Sequence, residues 1–290
     1  MVLKKSILFI INPISGGKSK IHFPDLAAKY LDQSLFDARF AFTERAGHAR
    51  EMVIGNPEAD VIVAVGGDGT INEVASSLEG SGKCMGIIPY GSGNGLARAM
   101  AIPLNDADAV SRLNNLNATF IDSGTLNDHK FFNMAGVGFD AHISRRFANH
   151  SERGFGGYVQ TTFREISGYQ SQNYILEIDG KTYSRKAFMI SIANSSQYGN
   201  NAHISPFASV KDGLLDVCIV RPFPMYIFPV MGLRMFSKTT HRSKFVEIIK
   251  GREIRIIRQS EGAVHLDGEP LLMEAELNIR VKPSSLCILV

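Results

Sequence analysis

Three short glycine-rich stretches constrain this chain more than anything else in it. "NPISGG" follows the apolar run Ser6–Ile11, "GGDGT" follows Val61–Val65, and "GSGNG" follows Cys84–Pro89 and one tyrosine. Each is succeeded by residues with helical spacing. A continuous apolar run is what a parallel strand covered on both faces requires. Strand, glycine loop and helix in repetition therefore define a parallel sheet flanked by helices. In such a sheet the strand C-termini lie along one edge, and all three loops share it. Glycine lets a backbone come close to a ligand, and a helix N-terminus adds partial positive charge, so this edge suits phosphate.

Within the middle loop, Gly66, Gly67 and Gly69 expose backbone amides, and Thr70 and Asn72 can donate to oxygens. Asp68 is the odd member, because a carboxylate repels phosphate unless a cation stands between them. It reads as an organiser of Mg²⁺ beside a nucleotide; the alternative is a capping residue in a tight strand-to-helix turn. The other loops bring Lys18, Lys20 and Arg98 to the same edge. Neither the dinucleotide fingerprint nor the P-loop ending Gly-Lys-Ser/Thr is present. Three loops, two lysines, an arginine and a carboxylate favour a nucleotide polyphosphate site.

After about Phe120 the texture changes to strands, among them "NYILEIDG", "KAFMISIAN", "LLDVCIV", "KFVEIIKG", "REIRIIRQ", "AVHLDGE", "ELNIRV" and "SLCILV". Asp179-Gly180, Asp212-Gly213 and Asp267-Gly268 are turn signals. Two helical candidates interrupt, "GGYVQTTFREISGY" and the stretch around Met225–Lys238. The expected fold is thus an α/β N-terminal domain with a parallel sheet over 1–122 and a β-rich sandwich over 123–290. The last strand is a candidate to return to the first domain. A chain of 290 residues is natural for two domains.

Composition narrows the class. Apolar residues make up 44% and charged residues 20%, which excludes a disordered chain. The net charge of +3 is too weak to argue for nucleic acid, but it is compatible with an anionic ligand or membrane surface. Cys84, Cys218 and Cys287 are far apart and read as buried reduced thiols of a cytoplasmic protein. The N-terminal apolar run, about six residues, is too short for a signal core. "PFPMYIFPVMGLRMF" is broken by three prolines and an arginine, well short of the ~18 apolar residues of a spanning helix. The expectation is a soluble or peripheral protein. His48, His142, His203 and His265 fall near these segments without metal spacing and read as surface or structural.

The ordered set "NPISGG", "GGDGTINE", "GSGNGLAR", "AGVGFDA", "KDGLLDV" and "LDGEP" resembles the diacylglycerol-kinase-like lipid kinases, from Lys5 to about Pro270. That group includes soluble bacterial lipid kinases and the catalytic regions of sphingosine and ceramide kinases. The resemblance implies an NAD-kinase-like first domain and ATP bound between the two domains. It also implies γ-phosphoryl transfer to a lipid hydroxyl, with Mg²⁺. Carried onto this chain, it makes Glu269 the catalytic base, with Asp267 orienting it or aiding the metal and Asp68 organising Mg-nucleotide. Gly66, Gly67, Gly69, Thr70 and Ser92 line the phosphates, with Asn12 and Thr43 nearer the nucleoside. Asp212, with the carbonyls of Ser209 and Leu214, forms a structural Mg²⁺ loop, for which a plain turn is the competing reading. Asp140 is either a polar wall of the acceptor pocket or a turn acid in a satisfied network. The third loop departs from the Gly-Thr-Gly-Asn-Asp of bacterial diacylglycerol kinases: Gly95 stands where the acid would be. Diacylglycerol, phosphatidylglycerol and a sphingoid-type alcohol all stay open as acceptors.

Two basic, aromatic stretches offer a membrane contact for such a chemistry. One, from Ile143, carries Arg145, Arg146, Arg153 and Arg164; the other carries Arg234, Lys238, Arg242 and Lys244. The expected partner is a lipid substrate at a membrane surface, met peripherally, with no nucleic acid and a homodimer left open. The rival readings are an NAD-kinase-type enzyme with a soluble acceptor and a non-catalytic nucleotide or lipid sensor, which would have no need of Glu269.

Overall fold

The computed structural model describes residues 4–17, 19–148 and 155–290; Lys18 and Arg153 lie outside them. The chain divides into two compact units. The first comprises Met1–Ile121 and Ser284–Val290, the second Asp122–Pro283.

The first unit alternates strand and helix: β1 (Lys5–Ile11), α1 (Phe23–Tyr30), β2 (Phe36–Phe42), α2 (His48–Ile54), β3 (Val61–Gly66), α3 (Asp68–Leu78), β4 (Cys84–Pro89), α4 (Gly95–Ala99) and α5 (Asp106–Leu113). Strand order is β2-β1-β3-β4, and every pairing is parallel. β3 is buried throughout, which is why it is apolar at every position. β2 is the edge strand, so it alternates instead: Phe36 is buried and Asp37 exposed, and Phe40 stacks on Phe9 at 5.2 Å. The chain runs from β1 outward to β2, then returns to β3 on the other side of β1. Such a reversal, at the strand C-termini, is where open α/β sheets characteristically bind ligands in a crevice.

The second unit continues with β5 (Ala118–Leu126), which crosses the boundary, then β6 (His129–Phe131), β7 (Met134–Gly138), α6 (Phe139–Ala148), α7 (Phe155–Glu165), β8 (Gln172–Ile178), β9 (Lys181–Ala187), β10 (Met189–Ala193) and β11 (Leu215–Val220). It ends with α8 (Phe228–Phe236), β12 (Val246–Gly251), β13 (Glu253–Ile257), β14 (Gly262–Leu266), β15 (Glu269–Met273) and β16 (Glu276–Leu289). One sheet has the order β12-β11-β10-β7-β14-β15, antiparallel throughout; a second runs β16-β13-β8-β9. Val137, Ile190, Val217 and Val264 of the first pack with Leu176, Ile256 and Leu277 of the second in one core, so the unit is a sandwich. Helices α6 and α8 cover the other face of the six-stranded sheet through Phe139, Ile143 and Met231.

Three sequence expectations change. "ELNIRV" and "SLCILV" are one strand: β16 runs 14 residues, begins in the second unit and ends in the first, where Cys287 pairs in register with Cys84 of parallel β4. That register corrects the reading of three reduced thiols. Cys84 and Cys287, 203 residues apart in sequence, are joined as a disulfide, and Cys218 alone is free and buried. Spacing along the chain says nothing about neighbours on adjacent strands. The polar edge strand β9, "KTYSRKA", and helix α6 were not expected as elements. β9 lacks an apolar pattern because an edge strand buries little, its burial being confined to Ala187.

Candidate active site

In the first unit the three glycine loops interlock. Asn12 Nδ2 donates to Thr70 Oγ1 at 3.1 Å, joining the first loop to the second. Asp68 joins the second to the third: its Oδ2 accepts the Asn94 N–H at 3.0 Å and its Oδ1 the Gly95 N–H at 2.8 Å. The Tyr90 N–H donates to the Gly66 carbonyl at 2.8 Å. Backbone meets backbone where Gly67 faces Gly91: a Cβ on Gly91 would lie 2.8 Å from the Gly67 Cα. Gly16 closes the third side. Its φ is +63°, and a Cβ there would come 1.9 Å from the Tyr90 carbonyl oxygen, so only glycine fits. Asn94, buried and left-handed at φ 51°, folds its side chain onto both the N–H and the carbonyl of Gly91 at 2.8 Å.

This geometry assigns jobs that the sequence left open. Asp68 does not cap its own helix α3, as the turn reading would have it; it caps the start of α4 and braces two loops. Lys20 does not face the crevice: it is buried, donates to the Ser15 carbonyl at 2.5 Å and sits 4.7 Å over the Tyr90 ring. Arg98 Nε binds the Gly93 carbonyl at 3.1 Å. Both cations fasten loops. Glu73, in "GGDGTINE", was missed: its two oxygens accept the Gly47 and Ala49 N–H groups at 2.8 and 3.1 Å, capping α2. Thus the first two turns of α3 carry two carboxylates, each capping a neighbouring helix. The only sequence signal was their shared position on a helix that follows a glycine loop. Helix α3 has Gly67 at its N-cap and no side-chain cap there, and a helix N-terminus of this kind suits an anion. Asn72 lies on α3, where it accepts from Ser76 Oγ at 3.1 Å, and Ser92 is exposed on the third loop. Thr43, nearly buried, extends β2 past Ile11, its N–H on the Ile11 carbonyl at 2.8 Å. Asn12, Thr43, Gly66, Gly67, Asp68, Gly69, Thr70, Asn72 and Ser92 therefore belong to one sheet edge.

In the second unit, Asp267 and Gly268 make a two-residue turn, φ 49° and 93°, between Leu266 and Glu269. The Asp267 carboxylate accepts three backbone amides, Phe132 N at 3.0 Å, Asn133 N at 2.8 Å and Met134 N at 2.9 Å. The hairpin tip is pinned to the start of β7. Glu269, two residues on, is exposed and makes no hydrogen bond or ion pair among the described residues.

Asp140, at the start of α6, is buried. Its Oδ2 receives Ser191 Oγ and Tyr198 OH and lies 3.1 Å from His265 Nε2. A network of this kind fits the turn-acid reading. The loop of Ser209, Asp212 and Leu214 differs from an oxygen cage for a metal. Asp212 Oδ1 accepts the Leu214 N–H at 3.2 Å, Oδ2 accepts Lys250 Nζ at 2.8 Å, and Ser209 Oγ accepts the Lys211 N–H at 3.3 Å. A lysine ammonium on one Asp212 oxygen and an amide on the other already engage the only carboxylate of this set, which does not fit Mg²⁺. Among the described residues there is no cluster of three or more acidic, histidine or cysteine ligands that could hold a metal.

An α/β unit with three glycine loops on one sheet edge is followed by a two-sheet sandwich, and sequence comparison places this combination in a family of kinases. The chain belongs to the YegS-like lipid kinases: residues 6–126 match the diacylglycerol kinase catalytic domain, and residues 133–290 match the YegS C-terminal NAD kinase beta sandwich-like domain. A relative from Pseudomonas putida, named "Probable lipid kinase YegS-like", is 31% identical over 84% of this chain and 82% of its own length. The protein named diacylglycerol kinase of Bacillus subtilis is 26% identical over 91% of this chain and 90% of its own. A solved diacylglycerol kinase of Bacillus anthracis superposes with a TM-score of 0.75 at 20% identity, covering 100% of this chain and 97% of its own. An ATP complex of the NAD kinase of Archaeoglobus fulgidus shares the fold at a TM-score of 0.54 and 13% identity, over 99% of this chain and 94% of its own.

Proposed function

We propose that this protein is an ATP-dependent lipid kinase that transfers the γ-phosphoryl group to a hydroxyl of a membrane lipid. The observation that carries the reading is the interlocked glycine edge, held by Asn12, Asp68 and close backbone contacts at the uncapped start of α3. In this reading Gly66, Gly67, Gly69, Thr70, Asn72 and Ser92 hold the phosphates of Mg-ATP, and Asn12 and Thr43 lie toward the nucleoside. Asp68 keeps two loops at one spacing and sets its charge beside the nucleotide's metal. Positioning and charge neutralisation are most of what phosphoryl transfer needs.

Glu269 supplies the remaining part. As the lipid hydroxyl oxygen forms its bond to the γ-phosphorus, the bond from phosphorus to the β–γ bridging oxygen breaks and ADP leaves. The Glu269 carboxylate takes the hydroxyl proton. Asp267 is a positioning residue: three backbone amides fix it, and through it the hairpin that presents Glu269.

Such an enzyme must meet its acceptor at a bilayer, and no helix among the described residues is long and apolar enough to cross a membrane. Support for peripheral contact comes from α8. Val230, Leu233 and Phe236 are exposed on it, following exposed Met225 and Tyr226, while Met231 is buried on the opposite side. Arg234, Lys238, Arg242 and Lys244 lie on or just after this helix. An exposed apolar face with basic residues close by in sequence suits an anionic membrane surface.

The deciding experiment is transfer from γ-labelled ATP with Mg²⁺ to diacylglycerol, phosphatidylglycerol, a sphingoid base and ceramide in mixed micelles, with NAD as soluble control. Label in one lipid is expected and names the acceptor. Label in NAD alone overturns the lipid reading and leaves the nucleotide site. No label with ATP still bound points to the sensor.

A further inference from the structure

The second unit holds a cation of its own at the loop where its family resemblance implies a metal. Lys250 lies on β12 directly across from Asp216 on β11. Its ammonium is 2.8 Å from Asp212 Oδ2 and 3.4 Å from Asp216 Oδ1. Asp216 is buried, and its other oxygen accepts Ser205 Oγ at 2.6 Å. A third carboxylate, Asp122, closes the loop from the far side: its Oδ2 accepts the Gly213 N–H at 2.7 Å, and its own N–H binds the Val210 carbonyl at 2.7 Å. The Val210 carbonyl, the Gly213 and Leu214 amides and three carboxylates are thus engaged by groups of the chain. Buried acids need a positive partner, and here the register of two strands delivers one. A divalent ion drawn to Asp212 would meet that ammonium on the same oxygen, and like charges at contact distance repel.

We infer that Lys250 is the built-in counter-cation of the 209–216 loop, which folds on the ammonium and not on a bound divalent metal. The metal requirement of the protein then belongs to the nucleotide alone. The second unit keeps its stability in chelator, and the acidic loop does not compete with ATP for Mg²⁺. This inference concerns folding and does not rest on the kinase reading, because its test contains neither nucleotide nor lipid.

The test is thermal unfolding of the full chain in EDTA and in millimolar Mg²⁺ or Ca²⁺, comparing wild type with Asp212→Asn. The expected result is no metal-induced rise in wild type that Asp212→Asn removes. Lys250→Met keeps the aliphatic stem and removes the charge. It is expected to melt lower in EDTA and to regain part of the loss with metal, a gain that Asp212→Asn in the same chain abolishes. An Asp212-dependent metal rise in wild type overturns the inference, and so does a Lys250→Met protein that neither loses stability nor gains a metal response. Should Lys250→Met fail to fold, Mn²⁺ titration of wild type by electron paramagnetic resonance decides: an Asp212-dependent site refutes the built-in cation, and its absence upholds it.

Discussion

The glycine edge of the first unit and the hairpin tip of the second use the same device to opposite ends. In each, an aspartate commits its oxygens to backbone amides, two for Asp68 and three for Asp267. Around Asp68 the device holds two glycine loops together at the uncapped start of α3, which suits an anion. Beside Asp267 it leaves an unpartnered carboxylate, Glu269, which suits a proton. The acid that builds a site is bound, and the acid proposed to act has no side-chain partner. This distinction is visible only in hydrogen bonds, because all three are plain carboxylates in glycine-rich sequence.

Substitutions can break that contrast, and the largest effect belongs to the free acid. Glu269→Gln should leave unfolding and ATP binding unchanged and lower turnover by about 10²–10⁴-fold, the usual share of a general base; near-normal kcat would remove Glu269 from the chemistry. Asp267→Ala should do the reverse. It strands three amides and should cost about 3 kcal/mol in urea unfolding, with any loss of kcat restored in part by Asp267→Asn. Gly16→Ala sharpens the first-unit half. With the Tyr90 carbonyl in the way it should cost ~2–3 kcal/mol and weaken ATP binding by calorimetry. Gly17→Ala, left-handed at φ +66° but with open space around it, should cost about 1 kcal/mol. Equal costs would mean the close approach to Tyr90 does not matter.

The smallest effect comes from an acid held by side chains instead of amides. Arg185, bidentate at 2.9 Å, and Arg221 at 2.6 Å pull the Glu247 carboxyl down to about 2. Its folded-state value is depressed, so its contribution is complete above the ordinary 4.5 and is lost as pH falls from there through about 2. Partly exposed, the cluster should contribute about 1 kcal/mol. Glu247→Gln should flatten the stability–pH curve in that acid window and nowhere else.

What the sequence made legible follows from what each element needs. Buried parallel strands such as β3 require unbroken apolar runs, so the α/β half could be read directly, as could the sandwich and its hairpin turns at Asp179 and Asp267. Edge strand β9 buries too little to leave a pattern. β16 looked like two strands because Lys282-Pro283 interrupts an otherwise apolar text, although a strand can carry a proline where no ladder bond is needed. The glycines of the site were legible because nothing else fits them. The roles of Lys20, Glu73 and Lys250 were not, since a side chain's partner depends on tertiary register. Cys84 and Cys287 were opaque for the same reason.

Strand β16 also has a consequence for the order in which the molecule is made. The first 121 residues contain four parallel strands and one of two bridged cysteines; the fifth strand and the other cysteine arrive only after the whole sandwich has been synthesised. Until then β4 presents a bare edge, the kind of surface that recruits other chains. The unit translated first is therefore the one completed last. A ribosome stalled anywhere in the sandwich would leave the first unit with an unpaired β4 edge and a lone Cys84.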